Sequence, residues 1–333
     1  MASVSGCEVP VRIGILGAAR IAPVALIGPA RERSEVAVAA VAAREVSRAE
    51  DFAAKHGIAR VHDSYEALIA DPDLDAVYIP LPNGLHGRWT RAALAAGKHV
   101  LCEKPFTANA VEAREIAGLA AKSDRVVMEA FPYRYHPLML RAEQIIASGE
   151  LGKLERVEVS LCMLLPKFSD IRYDYSLAGG ATMDLGCNAV HMIRTLGGST
   201  PEVVSARAKL RGAQVDRAMT AELRFAGGHT GRVRCSMWSS DLLQLSAKVV
   251  GDRGQLRVLT PVAPFRRLSV RSAEGNRVER FAPRAPFAYQ LDAFAAAVLR
   301  GEPVKTTPQD AIENMTIVDA IYRAAGLALR EPA

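Results

Sequence analysis

The chain has 333 residues, half of them apolar, 23% charged and 6% aromatic, with 42 basic against 36 acidic side chains and a formal charge of +6. At about 150 residues per domain, that length suggests two units, each able to bury its own core, and the apolar fraction excludes a disordered chain. The charges are interspersed, with no basic run and no interleaved aromatics, which argues against a nucleic-acid binder, while the small positive surplus suits a phosphorylated small ligand.

Short β-branched runs alternate with helical patterns through the first 130 residues. Strands are predicted over 11–16, 36–42, around 61, and over 76–79, 99–102 and 125–129. Helices are predicted from about Ile21 and over 47–56, 64–70, 87–96 and 109–122. Unbroken apolar strands with helical crossovers read as a parallel sheet covered on both faces. The fold class is therefore α/β, with a doubly wound Rossmann-type sheet over residues 1–130. After Phe131 the texture changes. A helix over 137–148 leads to a strand over 154–163, and a helix over 183–196 is followed by strands over 202–210, 219–225, 230–237, 243–250 and 255–259, with glycine turns among them. Residues 131–333 read as an α+β domain on a large, mostly antiparallel open sheet. Leu223, Phe225, Met237, Leu243 and Leu245 are expected to leave an apolar sheet face uncovered, and such a face is normally an interface. A homodimer or a dimer of dimers is expected.

Five cysteines (Cys7, Cys102, Cys162, Cys187, Cys235) include no C-x-x-C pair, which predicts reduced thiols in a cytoplasm. The first residues show no basic segment leading into an apolar one, so no secretory signal is expected. No apolar run approaches the roughly 18 residues of a membrane helix. The histidines share no ligand spacing, so no metal is expected.

Three segments carry chemistry. Gly14-Ile-Leu-Gly17-Ala18-Ala19-Arg20-Ile21-Ala22 follows a strand and opens a helix. There Gly17 permits a tight turn, Ala19 lets the backbone approach a pyrophosphate, and the helix start presents its amides to the phosphates. An ordinary βα turn is the plain alternative. Arg44, at the end of the second strand, stands where a carboxylate would meet a ribose 2′-hydroxyl, and an arginine suits a 2′-phosphate. NADP is therefore expected over NAD. Cys102-Glu103-Lys104-Pro105 lies just past a strand end, where ligands of parallel sheets sit, and Pro105 holds Lys104 extended. The Lys104 ammonium could donate to a carbonyl oxygen as hydride arrives at carbon.

Together with Pro80-Leu81-Pro-Asn83-Gly-Leu-His86, Gly97 to Pro105, and Met128-Glu-Ala-Phe-Pro-Tyr133-Arg-Tyr-His-Pro137, these motifs resemble the glucose–fructose oxidoreductase / inositol dehydrogenase family. The likeness runs from about residue 11 to about 325. The last motif is similar to the branch of dihydrodiol dehydrogenases and NADP-dependent sugar dehydrogenases. The resemblance implies hydride exchange with a sugar, polyol or dihydrodiol carbon. It places Pro80, Leu81, Asn83 and His86 with the cofactor, Glu103 and Lys104 beside the nicotinamide, and Tyr133 near the substrate.

A fourth segment, 179–191, puts Asp184, Asn188 and His191 within roughly 60° of one another on a helix turning about 100° per residue. Such a polar stripe needs hydrogen bonds or a polar ligand; a satisfied polar network is the plain alternative. In the resembled family the fourth residue after the Asp is a His or Tyr proton donor. Here it is Asn188, which cannot exchange a proton near neutrality. That leaves Lys104 alone, or Lys104 with His191, to manage the proton, with Asp184 holding the substrate or the lysine. Arg172 either contacts substrate or pairs with a neighbouring Asp. A non-catalytic dinucleotide-binding regulator is the rival class.

Overall fold

The computed structural model describes residues 9–238, 243–259, 267–282 and 284–333. The first sheet contains β1 (Val11–Leu16), β2 (Val36–Ala42), β3 (Arg60–His62), β4 (Ala76–Ile79), β5 (His99–Glu103) and β6 (Val127–Ala130). Their order is β3-β2-β1-β4-β5-β6, and every pairing is parallel. Helices α1 (Gly28–Arg31), α2 (Val46–His56), α3 (Tyr65–Ala70), α4 (His86–Ala95) and α5 (Ala110–Ala120) connect these strands. Local chemistry sets several boundaries. The Ser64 hydroxyl accepts the Ala67 amide at the start of α3, and Asn109 accepts two amides at the start of α5. The order of strands reverses between β1 and β4, the switch point where such sheets bind ligands.

After α6 (Pro137–Ala147), the second sheet comprises β7 (Leu154–Cys162), β8 (Glu202–Arg211), β9 (Val215–Arg224), β10 (Thr230–Ser236), β11 (Gln244–Gly251), β12 (Gly254–Leu259), β13 (Arg267–Ser272) and β14 (Gly275–Arg280). Its order is β14-β13-β12-β11-β7-β10-β9-β8, antiparallel except for the β7–β10 pair. Helix α7 (Cys187–Gly197) packs on one face of it. The other face is not the apolar surface that the sequence suggested. Leu223, Phe225 and Met237 are buried, and only Leu243 of the five stands well exposed, at 74%. The period-2 alternation sends the apolar set to the covered face. Cross-strand register lines Lys248, Glu158, Arg232 and Glu222 up as alternating charges on the other.

Two C-terminal helices complete the fold, α8 (Pro286–Arg300) and α9 (Pro308–Ala324). Helix α8 returns to the first sheet, where Leu291, Phe294 and Ala295 share a core with Ile13, Ile15 and Met128. Helix α9 packs against α5, α7 and β8. No helix among the described residues is long and apolar enough to cross a membrane. The four described cysteines are buried.

Candidate active site

The turn after β1 has the form a dinucleotide needs. Gly17 stands at φ +102°, a conformation costly for any side chain, and its amide donates to the Ala42 carbonyl at 2.7 Å. The amides of Ala18, Arg20 and Ile21 have no backbone carbonyl partner among the described residues. Leu81, in the loop after β4, approaches the same turn from across the switch point. Arg44 is 83% exposed just beyond β2, with Glu45 at 3.9 Å. These residues fit a phosphorylated dinucleotide: amides without a backbone partner at the turn and a cation at the ribose end.

Other members of the expected cofactor set do different work. His86 is buried, its ring nitrogens 2.7 Å from the carbonyl oxygens of Pro105 and Leu81. Burial pulls its pKa down, while the two carbonyls pull the other way. It thus clamps the loops that follow β4 and β5 rather than facing an open crevice. Asn83 donates to the Ala178 carbonyl at 3.1 Å, tying the β4 loop to the segment before the site helix. Pro80 is buried at the end of β4. Glu103 accepts the Tyr78 hydroxyl at 2.7 Å, and burial raises its pKa.

Lys104 leaves the end of β5, and the Lys104–Pro105 peptide is cis. Its Nζ donates to the Asp184 backbone carbonyl at 2.7 Å and lies 3.4 Å from Asp184 Oδ1. Burial is the largest single influence and works against the ammonium, but Asp184, Cys187 and Glu103 together outweigh it, and the lysine pKa is raised. Arg172 Nε donates to the same Oδ1 at 3.1 Å, and Asn188 Nδ2 reaches the Asp184 carbonyl at 3.4 Å. The neighbouring Cys187 thiol is pushed up to about 12 by burial, so it stays protonated and plays no nucleophilic part. Lys104, Asp184, Arg172 and Asn188 therefore converge.

His191 does not join them. Its Nδ1 shares a short hydrogen bond with the Tyr133 hydroxyl, its Nε2 lies 2.8 Å from Asp310 Oδ2, and its ring stacks on Phe131. The physical reason lies in these partners: one α-helical turn beyond Asn188 on α7, the His191 ring is held by Tyr133, Asp310 and Phe131. Burial keeps His191 below its ordinary pKa despite Asp310. Tyr133 is likewise buried, its hydroxyl 3.5 Å from the Asn188 carbonyl.

Asp310, Asp216 and Arg330, none of them singled out in the sequence, hold this arrangement together with Asp170, which the sequence offered as a partner of Arg172. Asp310 opens α9 and pairs with both His191 and Arg194. Asp216 on β9 accepts the amide and hydroxyl of Thr182 at 2.7 and 2.6 Å, and pairs with Arg330 at 2.9 Å, both side chains 0% exposed. Gly180, at φ +137°, lies so close that a Cβ there would sit 2.1 Å from Asp216. Asp170 accepts from Arg20 and Arg172. The signal available for Asp310 was the Thr307-Pro308 helix start, since the Thr307 hydroxyl accepts the Asp310 amide. Nothing local marks Asp216 or Arg330.

Comparison with known proteins agrees with this architecture. Residues 11–131 match the model of an oxidoreductase family with an NAD-binding Rossmann fold, and residues 139–257 match the GFO/IDH/MocA C-terminal domain. The chain is 39% identical to D-xylose 1-dehydrogenase (NADP(+)) 2 of Haloferax volcanii, over 94% of this chain and 96% of that protein. The chain belongs to the GFO/IDH/MocA oxidoreductase family. It is also 37% identical to the trans-1,2-dihydrobenzene-1,2-diol dehydrogenase of Bos taurus, over 69% of this chain and 68% of that one. Among solved structures it resembles the 3-ketoreductase KijD10 of Actinomadura kijaniata, in complex with NADP and TDP-benzene. The TM-score is 0.87 at 28% identity, covering 95% of this chain and 98% of that one. The chain is thus an oxidoreductase of a family whose members act on CH–OH groups.

Proposed function

We propose that this oxidoreductase is an NADP-dependent dehydrogenase that exchanges hydride with a hydroxyl-bearing carbon of a sugar, polyol or dihydrodiol, with aldoses such as D-xylose as the first substrates to test. The observation that carries the reading is the placement of Lys104 at the end of β5, in contact with Asp184, beside Arg172 and Asn188. The free amides of the turn at 17–21 would hold the pyrophosphate, and Arg44 the 2′-phosphate. A bound nicotinamide would accept the hydride as NADP+ in oxidation and supply it as NADPH in reduction.

Lys104 and its neighbours do the rest. A lysine kept as an ammonium by Asp184 suits the task of steadying an alkoxide and giving it a proton. In reduction, hydride reaches the carbonyl carbon, the Nζ proton moves to the oxygen, and Lys104 regains a proton from solvent. In oxidation the same atoms run in reverse, so Lys104 first has to lose its proton. Asn188 orients a substrate hydroxyl without titrating, and Asp184 and Arg172 hold the lysine and the sugar edge. His191 acts through Tyr133 as a support of the site helix rather than as a direct proton carrier.

Residues 1–130 form the proposed dinucleotide-binding unit and residues 131–333 the substrate and assembly unit, with α8 lent back to the first. Assembly as a homodimer, or a dimer of dimers, through the charged face of the second sheet completes the reading; a monomeric mass by light scattering at micromolar concentration refutes it. The function itself is tested by following nicotinamide absorbance with NADP+ and NAD+ across a panel of aldoses, polyols and diols. Turnover with NADP+ on at least one of them is the expected outcome, and its absence across the panel refutes the substrate class.

A further inference from the structure

The glycine turn and the substrate-side loop, 163–177, are joined across the cleft by a chain of charges. Arg20 stands in the glycine turn, and its Nη2 donates to Asp170 Oδ2 at 3.2 Å across 150 residues of sequence. Asp170 Oδ1 accepts the Arg172 amide at 3.1 Å and Arg172 Nη1 at 3.0 Å. Arg172 Nε then donates to Asp184 Oδ1, the oxygen that also faces Lys104 Nζ. The two ends of the first pair differ sharply: the Asp170 side chain is 6% exposed and that of Arg20 85%. A carboxylate so buried is held by its donors. An arginine so exposed, with five N–H groups in a planar fork, can meet a second anion while keeping the first.

We propose that Asp170 is a positioning residue that carries cofactor occupancy from the glycine turn to Arg172, Asp184 and Lys104. A phosphate at the turn fixes the Arg20 guanidinium, and a fixed guanidinium holds Asp170 and the loop 163–177 in place. Ordering the arginine for one anion removes the entropy that the other would otherwise have to overcome, so the coupling is favourable. Sugar then meets an already assembled Arg172–Asp184–Lys104 group only when the cofactor is present. The inference rests on the dinucleotide reading above and on no particular substrate.

Hydrogen–deuterium exchange of the full chain with and without NADPH tests it. In the unmodified protein, saturating NADPH should slow amide exchange across 163–177 by at least about threefold. Asp170→Asn keeps an oxygen for the Arg172 amide, so the loop can still fold, but it loses the charge that pairs with both guanidinium groups. It should remove the NADPH-dependent protection of 163–177 while NADPH still binds and exchange in β7 and β10 is unchanged. Asp170→Glu should restore part of the protection, which a purely structural role would not explain. Arg20→Ala, measured at saturating NADPH, should remove it as well. Equal protection in Asp170→Asn, or NADPH binding without loop protection in the unmodified protein, overturns the inference alone. Failure of the unmodified protein to bind NADPH, read from nicotinamide fluorescence, overturns the dinucleotide reading and the inference with it.

Discussion

Two ion pairs meet the first turn of the site helix, and they are built on opposite principles. Asp216 and Arg330 are wholly enclosed, and between them they hold the Thr182 amide and hydroxyl, the Tyr322 hydroxyl and the Gly179 carbonyl. Lys104 and Asp184 keep part of their surface open, at 22% and 16%, and share Asp184 with Arg172. An enclosed pair has every donor and acceptor committed, so it fixes backbone and cannot exchange partners without a large penalty. A half-open pair is held by fewer bonds and can admit a substrate oxygen in place of one of them. The enclosed pair serves stability, and the half-open pair is the one to which the proposed function gives the chemistry.

The sharpest break between the two comes from the lysine. Lys104→Met should lower turnover on a verified substrate by about 10²–10⁴-fold, the range of a general acid–base group, with NADPH affinity and melting temperature close to unchanged. Full turnover in that variant refutes the assignment. Asp216→Asn should do the converse. It leaves Arg330 enclosed without its anion, a loss of about 3–5 kcal/mol in urea unfolding, while turnover per folded molecule is largely retained. A loss under about 1 kcal/mol would mean that the enclosed pair is not the anchor of the helix start.

A third measurement uses pH. With Lys104 held above its ordinary pKa, NADP+-dependent oxidation should rise about tenfold per pH unit through the neutral range, because only the deprotonated lysine accepts the hydroxyl proton. Carbonyl reduction should stay flat there. A flat oxidation profile in the unmodified enzyme shows that another group takes the proton. Stability should follow a different pattern. His191 has a folded pKa below its unfolded value near 6.5, so its contribution is fully present above that value and lost as pH falls through the folded one. Denaturant midpoints at pH 7.5 and 5.5 should differ less in His191→Gln than in the unmodified chain.

The smallest effect concerns selectivity at the outer end of the cofactor. Arg44→Asp should weaken NADP binding more than NAD binding, since a charge-assisted phosphate contact is lost from an exposed side chain. Equal dissociation constants for the two cofactors in the unmodified protein would contradict the role given to Arg44.

What could be read in the amino-acid order follows from distance along the chain. The turn at Gly14–Ala22, the Glu103-Lys104-Pro105 strand end and the Asp184–Asn188 spacing are local, and the structure places Lys104, Asp184 and Asn188 together as residue type and spacing suggested. The contacts that arrange them are not local: Arg20 meets Asp170 over 150 residues, His191 meets Asp310 over 119, and Asp216 meets Arg330 over 114. No periodicity reports such pairs. The His191 ring departs from the spacing expectation for the same reason, because Tyr133 and Asp310 hold it from distant parts of the chain. The second sheet departs from expectation because the side a residue takes depends on strand parity and pairing: Leu223 and Phe225 are buried on the covered side. Helices α8 and α9 announce themselves by Pro286 and Pro308 at their first positions, a signal that was present and went unused.

The return of α8 to the first sheet sets an order on biosynthesis. Phe294, Leu291 and Ala295 fill the space beside Ile13, Ile15 and Met128, yet they are made more than 150 residues after the last of those strands is complete. A ribosome-bound chain therefore presents a nucleotide-binding sheet with one seam open until residues 286–300 have been translated. That seam is an apolar edge which a holding chaperone can recognise on the nascent chain and not on the finished one. An amino-terminal fragment ending near residue 130 keeps the seam open permanently, and it is expected to aggregate unless a segment spanning 286–300 is supplied in trans.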